Sequence, residues 1–145
     1  MLHHVFSAAC QSAAVDQFTN SISVQNVIEK LDAATSEPVP ASGPPQAIPF
    51  QFVVVSLWFN SGDTEGTVRQ RIRMTAPDGT INSPGIEASL TVHPGASQRI
   101  LGRVLGILYR GNGVYWIEID VHRKNQWETV ARLPMIVEVT VSGAA

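Results

Sequence analysis

Cys10 and the four histidines are the first residues to weigh for reactivity, because a thiolate forms near neutral pH only beside an imidazole or another cation. Cys10 stands between Ala9 and Gln11 in an apolar run, and no spacing aims an imidazole at it. Free cysteine is among the most buried residue types, so a core position is the favoured reading. His3, His4, His93 and His122, with Asp16 or Asp120, have the chemistry of zinc or iron ligands. Adjacent histidines in a strand point to opposite faces, however, and no metal-motif spacing joins the others. Asp63, Glu65 and Asp78 lie in turn-forming segments and are too few to enclose calcium, whereas ordinary turn chemistry accounts for them. No Ser-His-Asp order, glycine-rich phosphate loop or paired catalytic carboxylate stands out. No catalytic residue, metal site or cofactor is expected.

Two sets of residues are candidates for binding. Arg69, Arg71 and Arg73 alternate, so a strand would place their guanidiniums on one face about 6 to 7 Å apart, able to meet an anionic partner. The local alternative is ion pairing with Glu118 and Asp120, which also share one strand face. That pairing is the favoured reading and leaves one arginine over. Trp116 and Trp127 flank a turn and are expected near each other across a hairpin. Exposed, they would form a stacking or docking platform; otherwise they pair with each other or lie beneath a loop.

The elements that must carry these residues are strands. Val, Ile, Thr and aromatic residues recur in short runs punctuated by Gly, Pro, Asn and Asp. About eight runs are expected: His4–Gln11, Ser21–Ile28, Phe50–Asn60, Thr67–Thr75, Ile86–His93, Arg99–Tyr109, Val114–His122 and Trp127–Val141. Phe50–Asn60 is apolar on both faces, as a central strand should be. Val114–His122 alternates apolar and polar residues before a turn at Lys124-Asn125-Gln126, and Pro134 marks a bulge or interruption in its partner. Ala76-Pro77-Asp78-Gly79 reads as a tight turn. Between Ser23 and Ala34 the signals conflict, because Val24, Val27, Ile28 and Leu31 follow helical spacing while Ser21-Ile22-Ser23-Val24 alternates as a strand. The five prolines of 35–49 make a long loop, read as a crossover within one sandwich. The fold expectation is an all-β antiparallel sandwich of seven to nine strands, immunoglobulin-like or C2-like, forming one domain over residues 1–145.

Composition narrows the function classes. Charged residues make up 15% of the 145, the net charge is −2, and no long block of like charge occurs, so the electrostatic footprint of nucleic-acid binding is missing. A single cysteine forms no internal disulfide, and neither a secretory leader nor an 18-residue apolar run is seen. A cytoplasmic location and no membrane span are expected.

The N-terminal pattern of a strand carrying Cys10 and Ala14, then Val15-Asp16-Gln17 and Ser21-Ile22-Ser23-Val24-Gln25-Asn26-Val27-Ile28-Glu29, resembles a family of small bacterial domains of unknown function. Ile48-Pro49-Phe50 and Gly113-Val114-Tyr115 are similar to it too. The resemblance implies a bacterial β-sandwich and carries no catalytic residues. The expected function is a non-enzymatic binding or assembly module with an unknown protein partner or self-association. The alternative is a small hydrolase or metal-dependent enzyme.

Overall fold

A computed structural model describes residues 1–19, 21–36, 45–82 and 85–141. Its strands are β1 (Leu2–Val15), β2 (Ile22–Val27), β3 (Lys30–Thr35), β4 (Gln46–Ile48), β5 (Phe52–Asn60), β6 (Gly66–Thr75), β7 (Ile86–Val92), β8 (Ser97–Val104), β9 (Ile107–Tyr109), β10 (Gly113–Arg123) and β11 (Gln126–Val141). Sheet A runs β2-β1-β5-β8 and sheet B runs β3-β11-β10-β6-β7, with β4 and β9 as a short separate pair. The fold is an all-β sandwich, antiparallel except where β3 runs parallel to β11. No helix is long and apolar enough to cross a membrane.

Alternation builds the core. Phe52, Val54 and Trp58 of β5 face Ile72 and Val68 of β6 and Tyr115, Ile117, Ile119 and Val121 of β10, all nearly inaccessible to water. Trp58 Nε1 donates to Gln70 Oε1 at 2.9 Å inside that layer. At the start of β10 the Tyr115 hydroxyl donates to the Gly111 carbonyl at 2.9 Å and accepts from the Arg110 amide at 2.7 Å, which pins the loop entering the strand.

The described residues form eleven strands rather than seven to nine, and three local causes account for the difference. Ser23–Ala34 is not helical. Asn26 adopts φ 54°, in the left-handed region that Asn tolerates, one residue before β2 ends at Val27. The Ile28 amide donates to the Ala9 carbonyl, and the chain then crosses to sheet B as β3. Ile28 and Leu31 are buried but Val27 is 60% exposed, so the helical spacing came from two strands serving different sheets. The run Arg99–Tyr109 divides at Leu105-Gly106 into β8 and β9. A side chain at Gly106 would come within 3.0 Å of the Ile48 carbonyl oxygen, so glycine permits the approach of β4 to β9. Within the proline-rich stretch, β4 and Pro45 and Pro49 are described; Pro38, Pro40 and Pro44 lie outside the described residues, as does the turn residue Asn20.

The other turn readings hold. Gly79 has φ 86° and its amide donates to the Ala76 carbonyl, while Asp78 accepts from the Thr80 amide. Lys124 and Asn125 both have positive φ, 50° and 62°, as a two-residue hairpin with the twist of its strands requires. Pro134 opposes Trp116 without shifting the ladder; the irregularity falls between Ile119 and Asp120 instead. The Ile136 amide donates to Glu29 where β3 pairing begins. The nitrogen of Pro134, two residues earlier, points to the same side of β11, where β3 is absent, so the proline costs no ladder bond.

Candidate functional site

The outer face of sheet B carries the candidate residues. In register, Arg73 opposes Glu118 and Arg71 opposes Asp120, while Asp120 opposes Thr129 on the other side. Arg71 Nε donates to Asp120 Oδ2 at 2.7 Å and Arg73 Nε to the same oxygen at 2.5 Å. Arg73 also donates to Asp120 Oδ1 at 3.1 Å, and Thr129 Oγ1 donates there at 2.8 Å. Burial of Asp120, which is 1% exposed, works to raise its pKa; hydrogen bonds from Arg73, Arg71 and Thr129 outweigh it and hold the carboxyl below its ordinary range. The same bond to Asp120 raises the Arg73 pKa. Glu118 joins the network through Arg73, the Thr75 hydroxyl and, at 3.9 Å, Arg132.

No arginine of the triplet is left over. Arg69 reaches Glu87 on β7, with Nη2 3.0 Å from Oε2. The sequence reading missed this carboxylate because the pairing of β6 with β7 was not evident, although the alternation of the β7 run placed Glu87 on a polar face.

The tryptophans do not meet. Trp116 opposes Pro134 and Trp127 opposes His122, so six residues of β10, about 20 Å, separate them. Each instead takes an arginine on its ring. Arg71 lies 4.4 Å and Arg69 5.1 Å from the Trp127 centroid, His122 meets that ring edge-on, and Arg132 lies 4.3 Å from Trp116. Arg69, Arg71, Arg73, Trp116 and Trp127 thus share one face, along with Arg132, which the sequence reading did not single out. The face offers fixed cations over aromatic rings. Both of its carboxylates on β10 are bound to arginines, so neither is arranged to shuttle a proton.

The other reactive candidates have structural surroundings. Cys10 is fully buried, burial raises its thiol pKa, and its sulfur lies 3.6 Å from the Val53 carbonyl oxygen. His3 stacks on Phe59 and His4 meets Trp58 edge-on, on opposite faces of β1. His4 Nε2 is 2.7 Å from Ser7 Oγ, which is 2.8 Å from Ser56 Oγ. This pair has the separation of a base and nucleophile, but β1, β2, β5 and β8 contain no carboxylate to orient the imidazole, and Ser56 is fully buried. Asp16 accepts from the amides of Phe18 and Thr19, and Glu65 pairs with His93 at 2.8 Å. Among the described residues no three His, Cys, Asp or Glu gather as metal ligands.

The fold and face define an all-β sandwich with a cation and aromatic lattice on one side. No protein-family model matches the chain, and no curated protein matches it. Among solved structures it is similar to a calcium-binding mutant of Bacteroides uniformis beta-glucuronidase 2, with TM-score 0.46 and 13% identity over 65% of this chain and 12% of that one. It is also similar to a family 123 glycoside hydrolase from Clostridium perfringens, with TM-score 0.34 and 9% identity over 92% of this chain and 27% of that one. The chain spans a small part of either enzyme, and likeness at this level assigns no activity.

Proposed function

We propose that the chain is a non-enzymatic binding or assembly module of a bacterial cell whose outer face of sheet B receives a protein partner. The observation that carries this reading is the stacking of Arg69 and Arg71 on Trp127, repeated by Arg132 on Trp116. Tryptophan and arginine dominate the energetics of protein interfaces. Here the arginines are already oriented by Glu87, Asp120 and Glu118, so a partner meets ordered side chains and less rotamer entropy is lost on docking. Arg69 and Arg132 remain about half exposed, at 49% and 52%, and present donors to acidic groups. The test is affinity capture from bacterial extract with the wild-type chain and with Arg69→Glu/Trp127→Ser. A partner held by the wild type and lost by a folded variant supports the reading; equal capture by both opposes it.

A further inference from the structure

The two sheets differ in charge. Every strand of sheet B carries at least one charged residue, whereas β1, β2, β5 and β8 contain no Asp, Glu or Lys and only two arginines, Arg99 and Arg103, both on the edge strand β8. On sheet A the residues turned away from the core form a surface that is apolar in its middle and polar toward the β8 and β2 edges. Phe6 pairs with Leu57 and Ala8 with Val55, which in turn pairs with Leu101; Val55 is itself fully buried, while Phe6, Ala8 and Leu57 keep partial access to water and belong to neither core cluster. Leu101 is 44% exposed and Val27, on β2, 60% exposed. A monomer rarely leaves a contiguous apolar surface of this extent open.

We propose that this outer face of sheet A is the interface with a second copy of the chain. Four strands about 4.8 Å apart and about nine residues long, at about 3.3 Å each, span about 19 by about 30 Å. That is about 600 Å² in projection, which side-chain relief brings toward the about 800 Å² per partner of a standard interface. The arginines select the geometry. A two-fold axis lying across the strands would set β8 over β8 and bring Arg99 and Arg103 against their own copies. An axis along the strands sets β8 over β2, where the same face offers Ser12, Ser23 and Gln25. The two sheets then pack aligned, with Leu57 and Ala8 near the axis. The segment 37–44 is the rival occupant within the chain. The residues on both sides of it, Ala33–Thr35 and Gln46–Pro49, line one cavity with Tyr109 and Val139, on the side of β3 and β11 in sheet B.

Sedimentation equilibrium of the full chain at micromolar concentration tests the proposal, independently of the role given to sheet B. The expected result is a mass of twice 15.7 kDa. Leu101→Glu and, separately, Val27→Lys weaken association at least tenfold while keeping the wild-type circular dichroism and melting temperature, and Thr91→Glu, on the outer face of sheet B, leaves the dimer intact. Both substituted side chains are exposed in the monomer, so neither endangers the core. A wild-type chain that stays at 15.7 kDa overturns the proposal, as does a dimer that persists in folded Leu101→Glu and Val27→Lys chains or is lost in Thr91→Glu.

Discussion

Trp58 Nε1 donates to Gln70 Oε1 at 2.9 Å, joining β5 of one sheet to β6 of the other through a hydrogen bond wholly inside the apolar layer. The bond fixes which residue of β6 lies over β5, since a one-residue slip would turn Gln70 outward and an arginine inward. Gln70→Leu leaves the indole N–H buried without an acceptor, at a cost of about 1 to 3 kcal/mol. Adding Trp58→Phe removes that orphaned donor. Urea denaturation of the two single variants and the double variant should give a coupling energy of about 1 kcal/mol or more. Strict additivity would show that the bond contributes nothing.

Asp120 is the hub of the outer network and Arg69 its periphery. Asp120→Asn leaves Arg71 and Arg73 without their shared counter-charge. The expected loss is about 2 to 3 kcal/mol, below the about 3 to 5 kcal/mol for breaking a deeply buried pair, because both arginines keep contact with water. Arg69→Ala removes an exposed pair and should cost less than about 1 kcal/mol. The Asp120 pKa is lowered, so its contribution is present above the unfolded carboxyl value and disappears as pH falls through the folded one. The stability gap between wild type and Asp120→Asn should therefore be full at pH 7 and shrink below about pH 4. Denaturant titrations at both pH values check this.

His4 titrates in the opposite chemical sense. Its pKa is lowered first by burial and then by the positive charge of Arg123, so folding favours the neutral ring. That preference leaves stability intact above the unfolded histidine value of about 6.5 and erodes it as pH falls from there through the folded value. A His4→Gln variant, which keeps a polar group beside Ser7, should lose the corresponding slope in stability against pH. Identical slopes in the two chains between pH 7 and pH 5 would show that another group is responsible.

Local pattern carried the fold further than it carried the site. Period-two alternation located β6 and β10 to within a few residues, because one face of each is core, and runs of strand-forming residues bounded by turn signals located β5, β7 and β11. It failed where the chain changes sheets: Ile28-Glu29 join β2 to β3, just after the left-handed Asn26, and the combined apolar spacing imitates a helix. The site depended on which strands are neighbours. Glu118 and Asp120 were visible as partners for arginines, but Glu87 became one only through the pairing of β6 with β7. Trp116 and Trp127 were expected together because both flank a turn. The turn closes where expected, at Lys124-Asn125, but that is next to Trp127 and far from Trp116, so hairpin register and not sequence proximity decides their separation.

The role of the sheet B face is tested most directly by tryptophan oxidation footprinting of the free chain and of the chain bound to a captured partner. The molecule has three tryptophans, and fully buried Trp58 serves as an internal control for unfolding. The expected result is that Trp116 and Trp127 are oxidised in the free chain and protected in the complex, while Trp58 resists oxidation in both. Equal oxidation of Trp116 and Trp127 with and without the partner would contradict the assignment of this face to binding.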